Sequence, residues 1–218
     1  VRIESSHVYP LLKSSDIANG RVAPRQYVLV TQTTTGENTD SLYETAPQTW
    51  RYLEQHAHIL DARKSSIYRK RPRFCLFGIG AYSFAPWKVA ISGLYKTFRF
   101  TVVAPVRNRP VMLDDTCYFI SCETEQEARL FCELLNSPPC QAFLSSIAFL
   151  DSKRPVTSEI LRRISFCALA EKCGRRDVYE AVLRNKGYSQ METDRQLDLV
   201  MEEKPVHSPR KRKKPTAR

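Results

Sequence analysis

Residues 117–138 read CYFISCETEQEARLFCELLNSP, which places a strand immediately before a helix. The first four residues, 117–120, are of types that favour strands. Thr124, with Glu127 three residues later, forms the capping-box pattern that starts helices. The predicted helix carries its apolar side chains on one face, at Ala128, Phe131, Leu134 and Leu135. The run 136–138 is expected to end the helix at its proline, so this stretch predicts a protein of the α+β class.

The same two patterns recur on both sides of this stretch. Segments rich in strand-forming residues lie at 27–30, 74–77, 88–92, 98–103 and 111–113, and a short apolar segment lies at 8–12. Helices are expected at 47–63, 141–150 and 158–164. The polar residues 31–40 are expected to form a loop. We therefore predict an α+β fold with a mixed, largely antiparallel sheet and packed helices.

The chain divides by composition into three parts. Residues 1–166 are expected to form the main domain, and 167–203 a small helical appendage split by Gly174 and Gly187. Residues 204–218 are rich in proline and lysine and are expected to be a disordered basic tail. The first residue is valine rather than methionine, so we expect the chain to be a piece of a longer polypeptide or a processed or trimmed chain.

Composition excludes several classes of protein. No apolar run approaches the roughly 20 residues that span a bilayer, and the N-terminus lacks a signal pattern. The seven cysteines include no Cys-x-x-Cys pair, which disfavours zinc ribbons and disulfide frameworks. Scattered thiols fit core positions in a reducing compartment. We therefore expect a cytoplasmic protein with no membrane partner.

The charge pattern gives the first functional indication. The net charge is +11, and residues 62–113 contain 11 Lys/Arg and nine aromatic residues but no Asp or Glu. A stretch of one sign repels itself unless a polyanion lies against it, and an acid-free basic stretch is typical of nucleic-acid binding. The competing interpretation is that the aromatic residues face the core and the cations are merely exposed. The basic run 210–214 is a less specific feature, since such runs bind any polyanion.

Two short motifs resemble parts of a methyl-transfer site without matching them. The stretch 77–80, Phe-Gly-Ile-Gly, follows a predicted strand, as a cofactor loop would. Such a loop must open a helix and be followed by an acid about 20 residues on, whereas Pro86 interrupts any helix here and the next acid is Asp114. The stretch 136–140, Asn-Ser-Pro-Pro-Cys, resembles the Asn-Pro-Pro-Tyr motif of amino-methyltransferases, but a helix end is the better interpretation.

Metal and nucleophile sites are also weakly supported. Asp114 and Asp115 could begin a nuclease site, but the Glu-x-Lys that such a site needs occurs only at 202–204, inside the polar tail. A turn between strands is the simpler interpretation. The four histidines are dispersed, so neither a zinc site nor a Cys/His nucleophile is predicted.

Several segments together resemble a known family. They are 8–17 (VYPLLKSSDI), 52–63 (YLEQHAHILDAR), 87–90 (WKVA), 114–120 (DDTCYFI), 134–137 (LLNS) and 154–157 (RPVT). In order and spacing, over about residues 8–166, they are similar to the C-terminal target-recognition (specificity) domains of TaqI-like and Eco57I-like adenine-specific DNA methyltransferases. The first segment resembles the P-L-L-K-G-x-D-I opening of those domains.

This resemblance implies sequence-specific recognition of double-stranded DNA beside a methyltransferase catalytic domain, in cis or in trans. The parent activity would be transfer of a methyl group from S-adenosylmethionine to adenine N6, with the base flipped out. The catalytic half has no counterpart here, so this chain alone is expected to bind no cofactor and no metal and to catalyse nothing. The residues predicted to contact DNA are Lys13, Arg63, Lys64, Arg69, Lys70, Arg71, Arg73, Tyr82, Phe84, Trp87, Lys88, Lys153 and Arg154.

Two alternatives remain at this stage. The chain could be a non-catalytic specificity subunit that recruits a separate catalytic chain. It could also be a free-standing nuclease, which a metal-dependent cleavage assay would reveal. The sequence preceding residue 1 would separate a fused recognition domain from a separate subunit.

Overall fold

A computed structural model of the chain describes residues 1–34 and 36–185. The part of the predicted appendage beyond residue 185 and the whole predicted tail lie outside these residues. The fold is α+β, as the sequence predicted. The strands are β1 (Val8–Leu12), β2 (Gln26–Leu29), β3 (Trp87–Ser92), β4 (Thr101–Val103), β5 (Met112–Leu113) and β6 (Cys117–Cys122). The helices are α1 (Ser14–Ala18), α2 (Leu42–Thr45), α3 (Pro47–Gln55), α4 (Ala57–Leu60), α5 (Glu125–Asn136), α6 (Pro138–Ile147), α7 (Ser158–Leu161), α8 (Phe166–Lys172) and α9 (Arg176–Asn185).

The strands form two sheets rather than the single sheet that we predicted. The first has the order β2-β1-β5, with β1 antiparallel to β2 and parallel to β5. The second has the order β4-β3-β6 and is antiparallel throughout, with Trp87 opposite Cys122 and Ser92 opposite Cys117. Each paired residue of β5 lies 101 residues after its partner in β1, and a pairing over that distance leaves no local sequence pattern.

The predicted strand 98–103 forms only at residues 101–103. Side chains at the end of α5 and the start of α6 bond the backbone of residues 98 and 100 in place of a neighbouring strand. Asn136, the last residue of α5, accepts a hydrogen bond from the backbone N–H of Phe100 at 3.0 Å and donates to its carbonyl at 2.9 Å. Gln141 donates to the carbonyl of Phe98 at 2.8 Å. These two side-chain amides satisfy the backbone that a neighbouring strand would otherwise satisfy.

The predicted helices are correct in place and differ at their ends. Thr124 accepts a hydrogen bond from the backbone N–H of Glu127 at 3.2 Å, which confirms the predicted start of α5. The predicted helix 47–63 is interrupted at His56, where ψ is 9°, and continues as the short α4. Helix α6 begins at Pro138 rather than at 141, because the fixed φ of proline suits the first helical position.

One core carries most of the buried apolar surface. It lies between the second sheet and the helices α5 to α9, and Phe131 of α5 packs on Phe166 of α8 with 5.0 Å between ring centroids. Tyr179 of α9 is buried in the same core. The two helices predicted as an appendage therefore pack on the same core as the main domain. A second cluster lies between the sheets around Leu12 and Ile17, and a third lies beneath α2 and α3.

Hydrogen bonds between distant segments fix both ends of β1. At one end, the Ser14 and Ser92 hydroxyls are 2.5 Å apart, so the ends of β1 and β3 meet. Asp114 accepts a hydrogen bond from the backbone N–H of Ser14 at 3.0 Å at the same place. At the other end, the backbone N–H of Val30 donates to the carbonyl of His7 at 2.8 Å, just before β1 begins. Loops from distant parts of the sequence gather at these two ends.

Candidate nucleic-acid interface

The stretch 63–73, here called the basic loop, follows α4 and contains six cations and no acid. Lys64, Arg69, Lys70 and Arg71 are exposed. Within the described residues, no ion pair involves any of these four side chains. They are therefore cations that the described structure leaves uncompensated on one short segment.

The backbone that follows the basic loop is held by side chains. Four successive carbonyls, those of residues 73–76, each accept a hydrogen bond from a different side chain, an arrangement here called the carbonyl clamp. The donors are Thr39 to the carbonyl of Arg73, Thr31 to Phe74 (2.9 Å), Arg63 to Cys75 (2.8 Å) and Gln32 to Leu76 (2.7 Å). The predicted strand 74–77 is consequently not a strand, and Phe74 has a left-handed φ of 63°.

Gln32 is the central residue of the carbonyl clamp. Its side chain is buried, and its amide bonds both backbone groups of Leu76. Nε2 donates to the carbonyl at 2.7 Å, and Oε1 accepts from the N–H at 2.9 Å. The Thr31 hydroxyl lies 2.7 Å from the same Oε1. The Gln32 amide thus satisfies the backbone N–H and carbonyl of Leu76, which a neighbouring strand would otherwise satisfy. We predicted residues 31–40 only as a polar loop, and two consecutive buried polar side chains have no local sequence pattern that announces them.

Two of the residues predicted to contact DNA, Arg63 and Arg73, form bonds with other residues of the protein. Besides its bond to the clamp, Arg63 donates from Nε to the carbonyl of Leu60 at 2.7 Å and lies 3.9 Å from the ring centroid of Tyr68. Arg73 forms ion pairs with Glu54 and Asp61, both at 2.7 Å. The hydrogen bond from Arg73 holds the pKa of Asp61 below its usual value. Both arginines therefore stabilise the basic loop through contacts with other residues of the protein.

A groove of about 320 Å³ opens beside these arginines. The residues that line it include Asp61, Tyr68, Arg69, Arg71 and Pro72. Guanidinium groups at the rim of a groove suit a bidentate anion or the acceptor edge of guanine. The geometry therefore fits contact with a phosphodiester or with a base edge.

Lys88 is not available for the DNA contact that we predicted. Its side chain is only 1% exposed, and Nζ donates to the carbonyl of Ala85 at 2.7 Å. It lies on the central strand β3, on the face directed toward Phe119, 5.8 Å from that ring centroid. Burial lowers the pKa of Lys88 to about 8. The assignment of Lys88 as a DNA contact is therefore wrong, because this position of β3 faces the interior.

The aromatic residues 82, 84 and 87, which we predicted to contact DNA, pack against other parts of the protein. All three are half-buried around the short 3-10 helix Ala81–Phe84. Tyr82 donates to the carbonyl of Gly78 at 3.1 Å, and Phe84 packs edge-on against Tyr9 at 5.5 Å. Trp87 packs against the main core. These rings have structural contacts that the sequence could not assign.

The remaining predicted contacts lie at the other end of the sheets. Lys13 is exposed where β1 ends, next to the contact between Ser14 and Ser92. Lys153 and Arg154 follow Asp151, which lies 3.7 Å from Lys96 in the connection between β3 and β4. The five residues of β1 separate this end from the end at His7 and Val30, which adjoins the carbonyl clamp, by roughly 15 Å. The structure therefore divides the predicted site into two separate surfaces.

The other motifs have structural roles in the described residues. Gly78 is followed by a 3-10 helix of four residues. The Asp114 carboxylate accepts hydrogen bonds from Ser14 and Thr116. Within 1–34 and 36–185, no three His, Cys, Asp or Glu side chains gather as a metal site would require, and no helix has the length and apolar character needed to cross a bilayer.

Substituting Lys88 tests its burial through pH dependence. A folded-state pKa near 8, below the usual 10.5, means that protonation opposes folding at pH 7 and that this penalty disappears as pH rises from about 8 to 10.5. We expect Lys88→Met to increase the free energy of unfolding at pH 7 by at most about 3 kcal/mol. The gain should shrink toward pH 10 in urea titrations. Lys153→Met, at an exposed position, is the control, and an equal effect of Lys88→Met at both pH values would contradict the interpretation.

Substituting Gln32 tests the carbonyl clamp. Gln32→Ala leaves both backbone groups of Leu76 without their partner, so we expect the free energy of unfolding to fall by about 1–3 kcal/mol. Amide hydrogen exchange at residues 71–76 should accelerate more than exchange in β3. The control is Gln48→Ala, at an exposed position of α3. Unchanged exchange at 71–76 in Gln32→Ala would show that the clamp does not hold the loop.

Comparison with known proteins adds one relationship. No protein-family model matches the chain. The chain is 46% identical over 172 residues to the Type II methyltransferase M.NspV of Nostoc sp.. The match covers 78% of this chain but 36% of M.NspV, so the chain spans about a third of the length of this relative. Over most of its own length, the chain is therefore related to a Type II methyltransferase.

Proposed function

We propose that this chain is the target-recognition part of an adenine-specific DNA methyltransferase of a restriction-modification system, and that it contacts duplex DNA through the basic loop. The observation that carries the proposal is the set of exposed cations at 64 and 69–71, which form no ion pair within 1–34 and 36–185 and are adjacent to a backbone fixed by the carbonyl clamp. The relationship to a methyltransferase supports the enzyme class.

The clamp supports a role in reading sequence rather than only in binding charge. Cations on a loose segment contact phosphates, which position a protein without specifying bases. An arginine on a fixed backbone loses less conformational freedom when it forms a bidentate contact with guanine. Arg69 and Arg71 emerge between two anchored arginines, Arg63 and Arg73. They are therefore the side chains that we assign to base-edge contact, with Lys64 and Lys70 on phosphates.

The methyl-transfer chemistry belongs to a catalytic domain that acts in cis or in trans with this chain. Such a domain would bind S-adenosylmethionine and transfer its methyl group to adenine N6, in the cytoplasm where the target DNA lies. This assignment agrees with the match of the chain to about a third of M.NspV. In this chain, the carbonyl of Gly78 accepts hydrogen bonds from Tyr82 and Ser83, so the glycine stretch serves a local turn.

The first test compares two double variants of equal charge. Arg69→Ala/Arg71→Ala should lower the slope of log affinity against log salt by about two if both residues contact phosphate. If either contacts a base edge, discrimination among duplexes should also fall by about 1–3 kcal/mol for each lost contact. The measurements are fluorescence anisotropy titrations between 50 and 200 mM salt and a binding selection on random duplexes.

The matched control is Arg162→Ala/Arg163→Ala, which removes two exposed arginines beside α7. It changes the net charge equally and should leave sequence preference intact. Equal effects of the two double variants on preference would place the recognition surface elsewhere. A wild-type chain that shows no salt-dependent duplex binding would refute the proposal as a whole.

The second test concerns the cofactor. We expect the 218-residue chain to give no binding isotherm with S-adenosylmethionine by calorimetry, because the stretch 77–80 opens only a 3-10 helix of four residues and not the α-helix whose N-terminus would hold the cofactor. M.NspV serves as the positive control. Micromolar binding by this chain would show that part of the catalytic site resides in it.

A further inference from the structure

A second surface, here called the turn surface, lies at the end of the sheets opposite the basic loop. It consists of residues 94–96, in the connection from β3 to β4, and residues 149–151, which follow α6. Four large apolar side chains are exposed on it, namely Leu94 (40%), Tyr95 (40%), Phe149 (81%) and Leu150 (39%). The contact of Lys96 with Asp151 at 3.7 Å joins its two segments.

The charges around the turn surface differ from those of the basic loop. Acids and cations are mixed here. Asp151 is exposed, and the backbone contact of Gly93 with Thr116 at 2.8 Å brings Asp115, also exposed, to the base of the turn. The exposed cations nearby are Lys13, Lys96 and Lys153. Phosphates bound to these cations would not cover the apolar side chains.

This composition fits a protein surface better than a duplex. Protein interfaces have an apolar centre rich in aromatic residues and a polar rim of both signs. A solvent-exposed apolar patch of this kind commonly marks a contact with another protein. The basic loop shows the opposite arrangement, with free cations at the surface and its neighbour Phe74 buried.

We propose that the turn surface is where the remainder of the methyltransferase docks, whether it is joined to this chain or separate. The proposal rests on the proposed function. The occupant is argued from M.NspV, in which about two thirds of the polypeptide lies outside the match and must adjoin the matched third. Its contacting surface would be apolar at the centre with charged groups of both signs at its edge. Because the end of the basic loop is joined to the start of β1, and the turn surface lies beyond the contact of Ser14 with Ser92 where β1 ends, docking here leaves that loop open to DNA.

The test is hydroxyl-radical footprinting of two intact proteins. One is the 218-residue chain, and the other is M.NspV in which the matched stretch is replaced by this chain, with folding checked by its thermal transition. Labelling of Phe149 and Tyr95 should be several-fold slower in the chimera than in the isolated chain, while labelling of Tyr43, another exposed aromatic residue on α2, should not change. Equal labelling of Phe149 in a folded chimera would overturn the proposal.

A second measurement needs only the isolated chain. Phe149→Ser and Leu94→Ser should leave duplex affinity within about twofold, because these are neutral changes at exposed positions away from the basic loop. A larger loss of affinity, or slower labelling of Phe149 when duplex is added, would identify DNA as the occupant and overturn the proposal. Labelling that slows with protein concentration, together with self-association in sedimentation velocity, would identify a second copy and overturn it equally.

These outcomes separate the two proposals. If the isolated chain fails to bind duplex DNA while Phe149 is shielded in the chimera, the recognition role of the basic loop fails and the docking surface stands. If the chain binds duplex with the expected salt dependence while Phe149 remains reactive in the folded chimera, the recognition role stands and the docking surface fails.

Discussion

The two hydrogen bonds between the Gln32 side chain and the backbone of Leu76 hold the part of the molecule on which the proposed function depends. Residues 73–76 have no strand beside them, so their carbonyls would be unsatisfied if side chains did not reach them. Thr31, Thr39 and Arg63 complete the set of donors. The end of the basic loop is thereby fixed to the segment that follows β2, which is itself fixed to the start of β1.

The cations of the acid-free stretch 62–113 fall into two groups with different roles. One group is engaged with protein acceptors. Arg73 is paired with carboxylates, Lys88 is buried against a carbonyl, and Arg109 donates to the carbonyl of Val8 at 2.9 Å. The other group is exposed: Lys64, Arg69, Lys70 and Arg71 lie on the basic loop, and Arg99 and Arg107 lie outside it. The charge count therefore overstates the size of a DNA contact, because part of the positive charge supports the fold.

The basic loop and the turn surface give the molecule two different ends. The basic loop presents charge on a segment whose end is held by the carbonyl clamp, which suits contact with a polyanion whose position must be defined. The turn surface presents Phe149 and Leu94 among charges of both signs, which suits contact with protein. The strand β1 lies between the two surfaces. A recognition domain needs both functions, because the duplex and the catalytic machinery must be held at the same time.

The sequence alone determined the class of fold, the places of the main helices and the excess of positive charge, because capping residues, apolar periodicity and charge are local properties. It predicted Thr124 as the start of α5 and identified residues 64 and 69–71 as cations without neighbouring acids. Only the tertiary structure decided which cations are free, since the burial of Lys88 depends on what packs over β3. It also revealed the clamp, because the partners Gln32 and Leu76 are 44 residues apart. Hydrogen bonds between distant side chains and backbone depend on how the segments meet in space, and no pattern of neighbouring residues encodes that meeting.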